Sequence, residues 1–220
     1  LSILIIFWIL VALVGARNGA NALNRLIDKD IDAKNPRTAE RHLPRGIVKN
    51  WEALLIVVMC FGLMLLAAFM LNPLCVKMLP LALFFFIIYS YTKRFTWACH
   101  IILGIACGGA PVGAWMAVRG EISWVSFVIG GVVTFWVAGF DIIYGTQDVE
   151  FDRKEGLYSI PAIFGVRNAL IISALFHAAA IVMLMYLYLL LGLGWLYLLG
   201  VGVCACLLLV EHLMVSPSNL

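Results

Sequence analysis

Long apolar runs separated by short polar stretches make up most of this chain. The runs predict seven helices, at about 1–26, 52–72, 74–92, 97–118, 122–145, 166–191 and 193–213. Each approaches the roughly 20 apolar residues that cross a bilayer. Between Asn168 and Val210 there is no Asp, Glu, Lys or Arg, and this stretch divides at Gly192-Leu193-Gly194, where a tight turn is cheap. The short alternating strands of a β-barrel are missing. The pattern therefore predicts an all-α polytopic transmembrane helical bundle. Lys77, near the start of the third run, is expected to snorkel to an interface.

Composition agrees. Of 220 residues, 64% are hydrophobic and only 12% charged, against about a quarter charged in a soluble domain. The net charge of +3 matters less than its distribution. Twelve of the fifteen Lys and Arg fall in three loops on one face, around Arg25–Lys49, Lys93–Arg94 and Arg153–Arg167. That bias puts those loops at the cytoplasmic face of the cell's inner (plasma) membrane. The basic residues serve topology, and no nucleic-acid partner is expected; Lys34, Arg45 and Lys49 are read as nothing more. The six Cys show no C-x-x-C pair and are expected to be buried free thiols. The chain begins at Leu1, inside an apolar run, and ends in the polar stretch Ser216-Pro217-Ser218-Asn219. One transmembrane domain, truncated at both ends, is expected over 1–220.

Two acid clusters close apolar runs. The first is Asn24-x-x-x-Asp28-x-x-x-Asp32; the second is Asp148-x-x-x-Asp152, with Asp141 seven residues upstream. On continuous helices each set shares one face, with about 6 Å of rise per four residues. Acids at membrane-helix ends are costly and functional by default. Carboxylate and amide oxygens are hard donors that suit Mg2+, which prefers one or two carboxylates plus phosphate oxygens. Two such clusters suggest a polar chamber for divalent metal and a phosphorylated ligand. Lys93, Arg37, Arg41, Arg153 and Lys154 flank the acids and are candidates to neutralise charge on a departing diphosphate.

Other features carry less. Small residues recur at Gly15/Gly19, Gly104/Gly108 and Gly109/Gly113 and predict close helix packing. His42, His100, His177 and His212 are scattered, and none is spaced to pair with another as a metal ligand. His177 is expected to be packed or hydrogen-bonded. Tyr144, one turn before Asp148, is the first aromatic candidate to shield a carbocation with its ring face.

At these motifs the chain resembles the UbiA superfamily of intramembrane aromatic prenyltransferases. Asn24, Asp28 and Asp32 look like its first aspartate-rich motif, and Asp141–Asp152 with Gly156 like its second. Arg37-Thr38-Ala39-Glu40-Arg41-His42-Leu43-Pro44-Arg45-Gly46 looks like the loop that follows the first, with His42 where proline is usual. Tyr89-x-x-x-Lys93 and Ser159-Ile160-Pro161 with Phe164-Gly165 continue the match. The resemblance implies nine transmembrane helices around a cavity open to lipid, of which this chain carries seven. It implies Mg2+ on Asn24, Asp28, Asp32, Asp148 and Asp152, with those acids and Lys93 catalytic. Arg37, Arg41, Tyr89, Asp141, Tyr144, Arg153 and Lys154 join Asn24 in binding substrate. The implied reaction ionises a polyprenyl diphosphate to an allylic cation, which an aromatic ring attacks.

Within the superfamily the motifs look most like 4-hydroxybenzoate polyprenyltransferases, with a dihydroxynaphthoate acceptor for menaquinone as the alternative. Haem or a glycerophosphate as acceptor is a further alternative. A transporter of ions or anionic solutes is the competing class. Tail length and oligomeric state are left open by the sequence.

Overall fold

The computed structural model describes residues 2–216; Leu1 and residues 217–220, most of the polar stretch at the end, lie outside it. Ten α-helices and one 3-10 turn appear among the described residues: α1 Ile3–Ile27, α2 Lys29–Lys34, α3 Asn50–Leu71, α4 Pro73–Thr92, α5 Cys99–Arg119, α6 Trp124–Gly145, the turn Thr146–Asp148, α7 Val149–Glu155, α8 Ile160–Phe164, α9 Val166–Leu191 and α10 Trp195–Met214. Seven helical segments are long and apolar enough to cross a membrane, the number read from the apolar runs. Their outward faces are apolar, with Ile3, Trp195 and Leu213 each more than two-thirds exposed. Such surface is tolerable only against lipid, so this is a multi-pass membrane protein.

The chain divides into two compact units. The first holds Leu1–Tyr91 and Gly113–Ile122, the second Thr92–Val112 and Ser123–Leu220.

In the first unit α1 packs along α3. Gly15 and Gly19 are the buried residues of α1. A Cβ at Gly15 would lie 2.5 Å from the Cys60 carbonyl oxygen, and one at Gly19 would lie 2.6 Å from the Phe61 ring. Lipid supplies no hydrophobic drive between helices, so this backbone proximity is the main source of their attraction. Asn72 caps the α3–α4 corner: its side chain donates to the Met116 carbonyl at 2.9 Å and accepts from the Cys75 N–H at 3.1 Å.

In the second unit α6 packs along α9, and α9 against α10. Gly104 and Gly108 of α5 are seated against the backbone of Gly130 and Thr134 on α6, as the small-residue spacing predicts. Gly109 and Gly113 are not: nothing lies within 4 Å of a Cβ at either, because their side of α5 meets no neighbouring atoms. Gly139 of α6 faces the His177 ring, 2.5 Å from where its Cβ would be. Ser173 Oγ donates to the Gly139 carbonyl at 2.7 Å.

His177 is packed and hydrogen-bonded, as expected, but it is not solitary. Its Nδ1 lies 2.9 Å from His212 Nε2 and its Nε2 3.2 Å from the Trp136 carbonyl. That pairing joins residues 35 apart, and sequence spacing does not reveal it. The predicted break at Gly192 is present, with φ at 60°, a conformation natural to glycine. All six Cys are free thiols, as read, but none is fully buried; on lipid-facing helices an apolar thiol needs no burial in protein.

Candidate active site

The first acid cluster is not one continuous helix. α1 stops at Ile27, Asp28 takes φ −93° and ψ 5°, and α2 resumes at Lys29. The break is slight, since the backbone bonds Asp28 N to Asn24 O (2.9 Å) and Asp32 N to Asp28 O (2.7 Å) persist. Asp28 is the N-cap residue of α2, yet its side chain makes no capping hydrogen bond. Instead it accepts from Asn24 Nδ2 at 3.0 Å, which also reaches Ser90 Oγ at 3.4 Å. Asp28 and Asp32 are 4% and 5% exposed. One Arg41 nitrogen bridges both Asp32 oxygens at 2.8 and 2.7 Å, and Arg25 stands 3.8 Å away. Thr38 Oγ1 bonds the Asp32 carbonyl at 3.0 Å, pinning the following loop beneath the cluster. The Arg37 backbone N–H donates to Asn35 Oδ1 at 3.0 Å, an Asx turn that leaves the Arg37 side chain exposed. Tyr89 is half-buried one residue before Ser90.

One residue in this unit was counted in the sequence only as a basic residue. Arg17 is exposed on α1, seven residues before Asn24 and on the same helix face. It makes no ion pair or hydrogen bond with the described residues. An arginine within a membrane span is costly and cannot shed its charge, which makes Arg17 a candidate site residue.

The second cluster breaks in the same way. α6 ends at Gly145, the 3-10 turn follows, and Asp148 takes φ −106° and ψ 6° before α7 begins at Val149. The Thr146 hydroxyl bonds the Ile143 carbonyl at 2.6 Å, competing for the helix ladder at the break. Three residues in 3-10 geometry turn about 60° further than in an α-helix. Asp148 thus stays within about 40° of Asp141 around the helix axis. Asp152 accepts from Ser159 Oγ at 2.7 Å, while the same hydroxyl caps α8 by accepting from Ala162 N at 3.3 Å. The charges acting on Asp152 come from Asp148, Lys93 and His100. The Lys93 carbonyl accepts from Tyr158 N at 2.7 Å, tying the Y-x-x-x-K end to the loop before α8. Arg153 donates Nε to the Ala162 carbonyl at 2.9 Å, and Lys154 is exposed. Tyr144 is 44% exposed and stacks on Phe140 with ring centres 6.2 Å apart.

Asp141 has a partner that the sequence did not suggest. His100 Nδ1 lies 2.7 Å from Asp141 Oδ2. His100 is 5% exposed, and its Nε2 is buried without a hydrogen-bond partner.

These features define a multi-pass helical membrane protein with two kinked, acid-bearing helix ends. The UbiA prenyltransferase family model matches residues 1–220, and the chain belongs to that family. It is 32% identical over 175 residues to the 4-hydroxybenzoate octaprenyltransferase of Vibrio campbellii, covering 79% of this chain and 61% of that protein. With the enzyme of that name from Shewanella sediminis the identity is 34% over 163 residues, covering 72% and 55%. The chain thus spans about three fifths of the length of these curated relatives. The apo structure of a UbiA homologue from Aeropyrum pernix K1 superposes with a TM-score of 0.92 at 33% identity, covering 97% of this chain and 81% of that one. A UbiA homologue from Archaeoglobus fulgidus, solved bound to DMAPP and Mg2+, shares the fold at a TM-score of 0.74 and 22% identity, covering 99% and 81%.

Proposed function

We propose that this protein transfers a polyprenyl group from polyprenyl diphosphate to the ring of a hydroxylated aromatic acid of the 4-hydroxybenzoate type, with Mg2+, in quinone biosynthesis. One observation carries the proposal. Asp28 and Asp148 occupy the same sparsely populated backbone region at a helix break, and neither carboxylate caps the helix that follows. Two acids held alike at helix junctions are placed for ligands rather than for helix stability. The names of the relatives point the same way.

The donor set suits the metal. Asn24, Asp28, Asp32, Asp148 and Asp152 offer only hard oxygens. No group of three or more His, Cys, Asp or Glu able to hold a metal gathers among the described residues. A Mg2+ on either set would take the rest of its shell from water and phosphate oxygens, as that ion usually does. When bound, it neutralises charge on the leaving diphosphate. Asp32 joins the shell only if Arg41 releases one of its oxygens. Lys93, Arg37, Arg41, Arg153 and Lys154 bring positive charge to the diphosphate, and Tyr89 a hydroxyl. Arg17 pairs with the carboxylate of the acceptor, the anion its position calls for. Tyr144 offers a ring face to the allylic cation. The bias of basic residues to these loops favours the cytoplasmic side of the plasma membrane for these groups.

The test uses the full-length protein in membranes with a polyprenyl diphosphate, Mg2+ and either 4-hydroxybenzoate or 1,4-dihydroxy-6-naphthoate, with product detected by mass. Product from 4-hydroxybenzoate is expected. Product from the naphthoate alone would move the protein to menaquinone synthesis. Solute flux in proteoliposomes with no transfer to either acceptor would make it a transporter.

A further inference from the structure

The Asp141–His100 pair has no role in the function proposed above. Asp141 is an acid within a membrane span, and its side chain is 29% exposed, whereas that of His100 is 6% exposed. The carboxylate is thus the outward member of the pair and the imidazole the buried one. Oδ2 is tied to His100 Nδ1 at 2.7 Å; Oδ1 takes no hydrogen bond from the described residues. A carboxylate only accepts, so Nδ1 carries the hydrogen. The ring is held by its surroundings: a Cβ at Gly145 would lie 3.0 Å from its Cε1. Its Nε2 is buried without a partner, which costs about 1–3 kcal/mol and is not the arrangement of a histidine kept for packing alone. The charged or titratable groups around the pair are Cys99 beside His100, and Asp152 with Asp148 and Lys93 beyond it.

We propose that Asp141 is the base for the acceptor hydroxyl and that His100 is the residue positioning it. This rests on the prenyl-transfer reading. The acceptor's O–H proton passes to Asp141 Oδ1, and the ring becomes phenolate-like. The prenyl C1–O bond breaks, its electron pair leaving on the diphosphate, and a ring carbon then bonds the allylic cation at C1. The ring C–H proton departs with the diphosphate, which restores aromaticity. Asp141 returns its proton to the phenolate oxygen, so one proton is released per turnover. His100 keeps the carboxylate ionised and aimed through its Nδ1–H bond, and does not touch the acceptor.

The experiment compares wild type, Asp141→Asn and His100→Gln of the full-length protein in nanodiscs. Two acceptors are used: 4-hydroxybenzoate, and a ring-fluorinated analogue whose hydroxyl is already ionised at neutral pH and which keeps one ortho position open. Binding of polyprenyl diphosphate with Mg2+ is measured separately and is expected to match wild type in both variants. With 4-hydroxybenzoate, kcat should fall about 10²-fold or more in Asp141→Asn and about tenfold in His100→Gln. With the ionised analogue both losses should shrink to a few-fold, because the base is no longer needed. Equal losses with both acceptors would assign the pair a structural role and overturn the proposal. Wild-type rates in both variants would overturn it equally. If Asp141→Asn fails to bind the diphosphate, His100→Gln decides alone by the same comparison. Wild-type protein that transfers to neither acceptor would instead refute the prenyl-transfer reading.

Discussion

The two acid motifs are alike in backbone and unlike in what holds them. Both bend at the second position of the pattern, Asp28 at φ −93° and Asp148 at φ −106°. In the first unit the third position, Asp32, is buried and bridged by Arg41. In the second, Asp152 takes a neutral hydroxyl from Ser159. An ion pair neutralises a carboxylate, and a hydroxyl does not. Asp32 therefore has its charge balanced by Arg41, which the proposed metal would have to displace. In the second motif, Lys93 and His100 act on Asp152 as positive charges. One chemical pattern thus has its third acid bridged by an arginine in one unit and held by a neutral hydroxyl in the other.

The largest effect should come where the motifs agree. Asp28→Asn and Asp148→Asn should each cut prenyl transfer about 10³-fold, measured as product by mass. The double variant should be little worse than either single one, because groups acting as a unit are not additive. A single variant that kept full activity would break the likeness between the motifs.

The next effect separates them. Arg41→Ala should lower the Mg2+ concentration needed for half-maximal rate, since Asp32 is then unbridged, and should raise KM for the diphosphate about tenfold. Ser159→Ala should leave the Mg2+ requirement within about twofold. It should cost about 1 kcal/mol of stability, because that hydroxyl also caps α8, read as a lowered Tm. Equal Mg2+ curves for the two variants would remove the distinction.

The smallest effects concern how each motif-bearing helix is seated. Gly15→Ala sets a Cβ 2.5 Å from the Cys60 carbonyl oxygen, whereas Gly139→Ala meets the edge of the His177 ring. Backbone yields less than a side chain. Gly15→Ala should cost about 1–3 kcal/mol and Gly139→Ala about 1 kcal/mol. Gly109→Ala, with nothing within 4 Å, should stay within about 0.5 kcal/mol. Thermal unfolding in detergent orders the three.

The spans were legible because burial in lipid needs only an unbroken apolar run, so Asn50–Leu71 and Val166–Leu191 fall within two residues of their reading. The motif residues were legible because acids there are rare. The bends were not. No Pro or Gly stands at Asp28, and the break after Gly145 arises from a hydroxyl competing for a carbonyl at Thr146. The His100–Asp141 contact joins residues 41 apart on two different helices, which no local spacing announces. Arg17 was visible as a charge, but its exposure on the Asn24 face is a property of the packed helix. The Gly109/Gly113 spacing misled for the same reason: a small-residue repeat shows that a helix can be approached, not that anything approaches it.

The most direct test of the account is prenyl transfer by the full-length protein as Mg2+ is withdrawn by chelation and restored, with Asp28→Asn and Asp148→Asn alongside. The account predicts product from 4-hydroxybenzoate that vanishes without Mg2+, returns when it is added back, and is lost in both variants. Product that persists without divalent metal, or in either variant, would contradict it.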